Sequence, residues 1–177
     1  MKRLLASLLM MASIPALVLG CASSTTIDRT VSIEGMTINV PSNWVEDGND
    51  FSLESEGAKN GYKSFIADDY GSGILVSYTN ITLDKTPEDS VLEAKKSKEG
   101  ASLKAKDFKA TLIDESVVDG ARCSVYEFTY AVEDGKGGFS DMKERNAYIY
   151  GQEMHYEVSG FGDLSIFDAA LKSIKLN

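Results

Sequence analysis

The chain has 177 residues, 43% of them hydrophobic, with 27 acidic against 18 basic side chains and a net charge of −9. Acidity of this degree repels nucleic acid and anionic lipid headgroups, so contact with a membrane is expected to come from acyl chains. One histidine and two cysteines supply too few imidazole and thiolate ligands for a zinc site.

The amino end reads as an address. Lys2 and Arg3 form a positive head, and residues 4–19 are an apolar run interrupted only by Ser7, Ser13 and Pro15. That pattern is an export signal rather than a fold element. Its ending, Val18-Leu19-Gly20-Cys21, resembles the lipobox of bacterial lipoproteins. The resemblance implies a signal peptide over 1–20, an acylated Cys21 as the first mature residue, a lipidated tether over 21–28 and one domain over 29–177. The mature chain would then carry 16 basic against 27 acidic residues, a net charge of −11. Each buried methylene contributes about 0.8 kcal/mol, so the two or more acyl chains of a diacylglyceryl cysteine hold stably where one would not. No later apolar run approaches the roughly 20 residues that span a bilayer. With Cys21 lipidated, Cys123 has no disulfide partner, and its place in an apolar run makes it a small buried hydrophobe.

Residues 29–33 and 36–40 alternate apolar and polar around Glu34-Gly35, which predicts two strands with Val31, Ile33, Ile38 and Val40 inward. Pro41 ends that ladder for want of an N–H. Trp44, the only tryptophan, is expected to plug one end of the core. Asn60-Gly61, between 51–56 and 62–67, is read as a hairpin turn because both residues accept positive φ. Residues 74–83 form the next strand. A helix follows: Thr86 caps it, Pro87 suits its first position, and Glu88 and Asp89 complement its positive dipole end. Lys95, Lys96 and Lys98 fall in its last turn, before Gly100. Its thin apolar stripe (Val91, Leu92, Ala94) predicts one face on a sheet and a wet outer face.

The second half reads as an antiparallel meander. Residues 108–118 turn at Asp119-Gly120 into 121–132, where Tyr126, Phe128, Tyr130 and Val132 share one face. Residues 133–141, with Gly135, Gly137 and Gly138, form an exposed, mobile hairpin loop. Residues 142–150 and 153–160 pair through Gly151-Gln152, which predicts a type II′ turn. Asp163 caps a final helix whose Leu164, Phe167, Ala170, Leu171 and Ile174 lie on one apolar face.

This order, two strands into Ile38-Asn39-Val40-Pro41 with Trp44 close behind, and an amphipathic helix through Phe167 to Lys175 at the end, resembles the PsbP-like fold. That superfamily includes the extrinsic oxygen-evolving protein of photosystem II, a nuclear GTPase-binding factor and many small bacterial lipoproteins. The resemblance implies an α+β domain, an antiparallel sheet covered by helices, used as a binding scaffold. Cystatin-like and other helix-on-sheet folds stay open as alternatives. It transfers no catalytic residue, and a fold by itself does not supply a function.

The chemistry narrows further. His155 is the single imidazole and lies in a predicted strand, and no Gly-x-Ser-x-Gly elbow is present. Ser140-Asp141-Met142-Lys143 matches Ser-x-x-Lys without the accompanying Ser-Asp-Asn and Lys-Thr-Gly, so chance explains it. Glu46-Asp47-Gly48-Asn49-Asp50 and Asp68-Asp69 lack the spacing of a calcium loop and read as solvated turns. Gly135-Lys136-Gly137-Gly138 is too short for a phosphate loop, and Asn80-Ile81-Thr82 is a formal glycosylation sequon only. The expectation is a lipid-anchored, extracytoplasmic, non-enzymatic binding or accessory module. It has no catalytic, cofactor or metal residues, no nucleic-acid partner, a protein partner in the cell envelope and the membrane itself as a second. The alternatives are an envelope hydrolase with an unrecognised site and a small-molecule binder using the aromatic face around Tyr126, Phe128 and Tyr130.

Overall fold

The computed structural model describes residues 26–50, 57–100, 103–134 and 136–177. In chain order the first half comprises β1 (Ile27–Ile33), β2 (Met36–Pro41), β3 (Val45–Asp50), β4 (Asn60–Ile66), β5 (Gly73–Thr79) and α1 (Pro87–Glu99). The second comprises β6 (Lys106–Val118), β7 (Ala121–Glu133), β8 (Phe139–Tyr150), β9 (His155–Phe161), α2 (Leu164–Lys172) and β10 (Lys175–Leu176).

Two antiparallel sheets result, a small one ordered β1-β2-β10 and a seven-stranded one ordered β3-β4-β5-β9-β8-β7-β6. Glu34 and Gly35 take φ of 39° and 85°, and Asp119 and Gly120 take 46° and 86°. These are the paired positive values of a type I′ turn, so both predicted hairpins form where their turn residues place them. β1 starts at Ile27 because Ile27 packs on the core and Asp28 accepts bonds from Ser42 N and Oγ. Trp44 is 5% exposed and belongs to the core it was expected to close.

One face of the large sheet is apolar. Phe65, Val76, Val125, Ile149 and Val158 meet β1, β2 and α2 in a single cluster. Asp163 caps α2 by accepting from Ser165 N, and Phe167 and Ala170 are buried as the helical spacing predicts. Ile166 is buried too, which that spacing did not include. Asp168 on its outer side holds Arg145 of β8 at 2.5 and 2.6 Å.

The other face receives α1. Thr86 and Asp89 form a reciprocal capping box, and Pro87 occupies the first turn. The helix carries the chain from β5 to β6, four strand positions away across the sheet. Four spacings of about 4.8 Å match the roughly 19 Å length of thirteen helical residues, so its length suits the crossing. Val91 and Ala94 pack on Tyr126, Phe128 and Tyr130, while Leu92 is half exposed and leaves the expected stripe.

Four sequence expectations are corrected. Asn60-Gly61 is no turn: both residues lie in β4, opposite Thr79 and Tyr78. Gly61 is small because a Cβ there would meet Tyr78 Oη at 2.2 Å, a close approach rather than a positive φ. Residues 51–56 lie outside the described residues. Residues 46–50 are not a solvated turn but strand β3, with Glu46 bonded to Lys63 at 2.8 Å. Gly151 does not take a positive φ; it starts a four-residue connection closed by its N–H donating to Met154 O at 3.0 Å. The strand predicted over 74–83 ends at Thr79.

Candidate functional site

Strand alternation sends Glu144, Asn146, Tyr148 and Tyr150 of β8 to the face that carries α1. The register of β9 places Phe161, Ser159, Glu157 and His155 directly opposite them. This half of the sheet is therefore polar and partly roofed, between the aromatic core under α1 and the edge at β3.

Two carboxylates sit there in different surroundings. Glu144, 8% exposed, receives Lys98 Nζ at 2.7 and 2.8 Å and the Tyr130 hydroxyl at 3.0 Å. Burial opposes the Lys98 charge, but Glu144 and Tyr130 outweigh it and hold the lysine pKa above its usual value. Burial first, then Glu144, pushes Tyr130 up to about 12. That cluster is closed and satisfied.

Glu157 is different. Its Oε1 accepts from Asn146 Nδ2 at 2.9 Å and from Ser159 Oγ at 3.4 Å. Glu157 is partly buried, and desolvation pushes its pKa up, with Glu144 adding to the shift. Beside it the Tyr148 hydroxyl and Asn146 Oδ1 are buried without hydrogen-bond partners, in side chains only 2% and 3% exposed. Such orphaned groups cost roughly 1–3 kcal/mol each unless something fills the gap.

Nearby lies a cavity of about 100 Å³, lined among others by Tyr148, Tyr150, His155, Glu157, Ser90 and Lys85, but not by Asn146. Ser90, from the first turns of α1, shares a 2.9 Å bond with the Tyr150 hydroxyl and so fixes one wall. Burial pushes Tyr150 up to about 12. His155 stands edge-on to Tyr150 with ring centroids 4.4 Å apart. Burial, then Lys85, lowers the His155 pKa, which keeps its imidazole neutral near pH 7. Lys85 itself is paired with Glu93. The cavity is well below the 300–1,000 Å³ typical of drug-sized pockets, so it suits a small functional group.

The residues singled out from sequence scatter. His155 does line the cavity, yet no hydrogen bond among the described residues joins it to a hydroxyl or carboxylate that would make it a base. Ser140 and Lys143 are three apart in β8 and therefore point to opposite faces. Cys123 is buried on the apolar face, where burial pushes its thiol pKa up. Asn80 secures a loop, accepting from Lys59 N and donating to Gly57 O. Asp69 accepts from Gly71 N, and Asp134 accepts from the N–H groups of Lys136 and Gly138, so these acids brace turns. No group of three or more His, Cys, Asp or Glu side chains suited to a metal ion occurs among the described residues. Tyr126, Phe128 and Tyr130 are core, not pocket. Cys21, its signal peptide and Gly135 lie outside the described residues. Glu157, Tyr148 and Asn146 were not anticipated. Their only signal was a run of polar residues and tyrosines on the strand positions that solvent normally claims.

No family model matches this chain, and no curated protein matches it. The fold is similar to the solution structure of cyanobacterial PsbP (CyanoP) from Synechocystis sp. PCC 6803, with TM-score 0.57 and 18% identity, over 89% of this chain and 98% of that one. The domain is thus PsbP-like in fold. A weaker likeness, TM-score 0.42 and 15% identity over 81% of this chain and 90% of the other, is to a Pseudomonas aeruginosa protein of unknown function, PA94. At that score it carries no weight here.

Proposed function

We propose that the protein is a non-enzymatic binding or accessory module, held on the extracytoplasmic side of the cell membrane by a lipidated Cys21. The observation that carries the reading is the distance between address and domain. β1 begins at Ile27, six residues after the lipobox cysteine. Six residues reach at most roughly 20 Å, so the domain would ride close to the bilayer surface. There it would meet an envelope protein partner with little freedom to diffuse. Support for binding over hydrolysis comes from the cavity: it offers acceptors and aromatic walls, while its one imidazole lacks the nucleophile and orienting carboxylate of an activated site.

The test is detergent-phase partitioning of the full-length protein and of Cys21→Ser expressed in a lipoprotein-processing bacterium. Wild type is expected in the detergent phase and the variant in the aqueous phase, with equal thermal melts. Equal partitioning would remove the anchor, and crosslinking from the anchored form in its own membrane would identify the partner.

A further inference from the structure

We propose that the protein forms a two-fold homodimer by antiparallel pairing of β6 with β6 of a second copy, which joins the two seven-stranded sheets into one. The inference goes beyond the anchored-module reading and does not depend on Cys21. Among the described residues, β6 is an end strand of its sheet and is hydrogen-bonded to β7 alone. None of its thirteen residues is buried, whereas β7 beside it buries Cys123, Val125, Tyr126 and Phe128. Val117 is 70% exposed, and Leu112 and Ile113 are each 45% exposed, all on this one strand. A long, apolar end strand leaves a row of backbone donors and acceptors open to a further strand. The opposite end of the sheet is better protected. There β3 has only six residues, and its Glu46 and Asp47 would repel the same strand of another copy.

The order of charges along β6 selects a second copy as the occupant. Lys106 and Lys109 lie in its first half and Lys104 just ahead of it, while Asp114 and Glu115 lie in its second half and Asp119 just beyond. Asp107 is the exception to this segregation. An antiparallel copy reverses the order, so each basic half lies against the other copy's acidic half, and the two-fold makes the match twice. A parallel copy would set like charges side by side. The register with β7 shifts between Leu112 and Asp114, which makes Ile113 the extra residue of a bulge. With the two-fold at that bulge, the regular run 109–112 of one copy faces the regular run 114–118 of the other. The break in pairing then falls once, at the centre, where Leu112 and Ile113 of both copies meet. Glu115 is held by Arg122 at 2.8 Å, an exposed pair that contributes little and is free to rearrange.

The experiment is sedimentation equilibrium of the full-length protein in density-matched detergent. It compares wild type with two double variants, Lys106→Glu with Lys109→Glu and Asp114→Lys with Glu115→Lys. All four positions are exposed, so both variants are expected to keep the wild-type thermal melt. Wild type is expected as a reversible dimer. Each double variant alone should dimerise at least about tenfold more weakly, because like charges replace opposite ones on both sides of the two-fold. Mixed in equal amounts, the two variants should recover a dimer, since one β6 is then acidic and the other basic. That recovery separates lost pairing from lost folding. A wild type that is monomeric at every concentration would overturn the proposal and leave the edge to a strand of a different protein. A dimer that survives both reversals, or variants that keep the wild-type melt and do not recover on mixing, would overturn it as well. Association is read in detergent whether or not Cys21 is acylated, so failure here and failure of the anchored-module reading are separable.

Discussion

The two faces of the seven-stranded sheet carry the same backbone to opposite ends. One face is dry: Phe65, Val76, Val125, Ile149 and Val158 are buried against α2 and the small sheet, and their stabilisation comes from removing apolar area from water. The other is half aromatic core under α1 and half polar, with Glu144, Asn146, Tyr148 and Glu157 crowded where solvent would normally stand. The difference shows how one register separates stability from recognition. Along β8, Ala147 and Ile149 belong to the first face and Asn146, Tyr148 and Tyr150 to the second, so adjacent residues serve opposite purposes.

The sharpest way to break the dry face is Phe167→Ala. The side chain is 1% exposed and packs over Gly160, where a Cβ would lie 2.4 Å from its ring. A loss of about 3–5 kcal/mol is expected in urea unfolding. A loss below about 1 kcal/mol would mean that α2 contributes little to holding the two sheets together.

A smaller effect, roughly 3 kcal/mol, is expected on the second face from Lys98→Met, which strands Glu144 as an uncompensated, nearly buried charge. Adding Glu144→Gln should restore most of it, because the cost lies in the unpaired charge and not in the missing bond. A double variant as unstable as the single one would contradict that account.

The smallest effect has the opposite sign. The folded-state pKa of Glu157 lies above its unfolded value of about 4.5, so the folded protein binds this proton more tightly than the unfolded chain. Its contribution to folding therefore becomes less favourable as pH rises from the unfolded value through the folded one, and is constant above that window. Glu157→Gln should be more stable than wild type near pH 7, and equal to it below the unfolded value. Thermal melts across that range measure the gap. A gap that grows toward acid would reverse the sign and place a compensating cation beside the carboxylate in the free protein.

The sequence by itself determined whatever depends on a few neighbouring residues. Thr86-Pro87-Glu88-Asp89 carries a complete capping box, Asp119-Gly120 and Glu34-Gly35 carry the positive φ values of their turns, and Asp163 starts α2. Alternation likewise separated inward from outward positions in β1 and β2. Only the tertiary structure decided the rest. A glycine reads alike whether it serves a positive φ or a close approach, and Gly61 belongs to the second kind because Tyr78 lies across it. The pairing of β5 with β9, some eighty residues apart, and of β10 with β2 has no local signal, since strand partners are chosen by the faces they complete. Glu157 and Tyr148 occupy positions that alternation assigns to water. They are enclosed because α1, crossing from β5 to β6, roofs part of that face, and a crossing path is a property of topology.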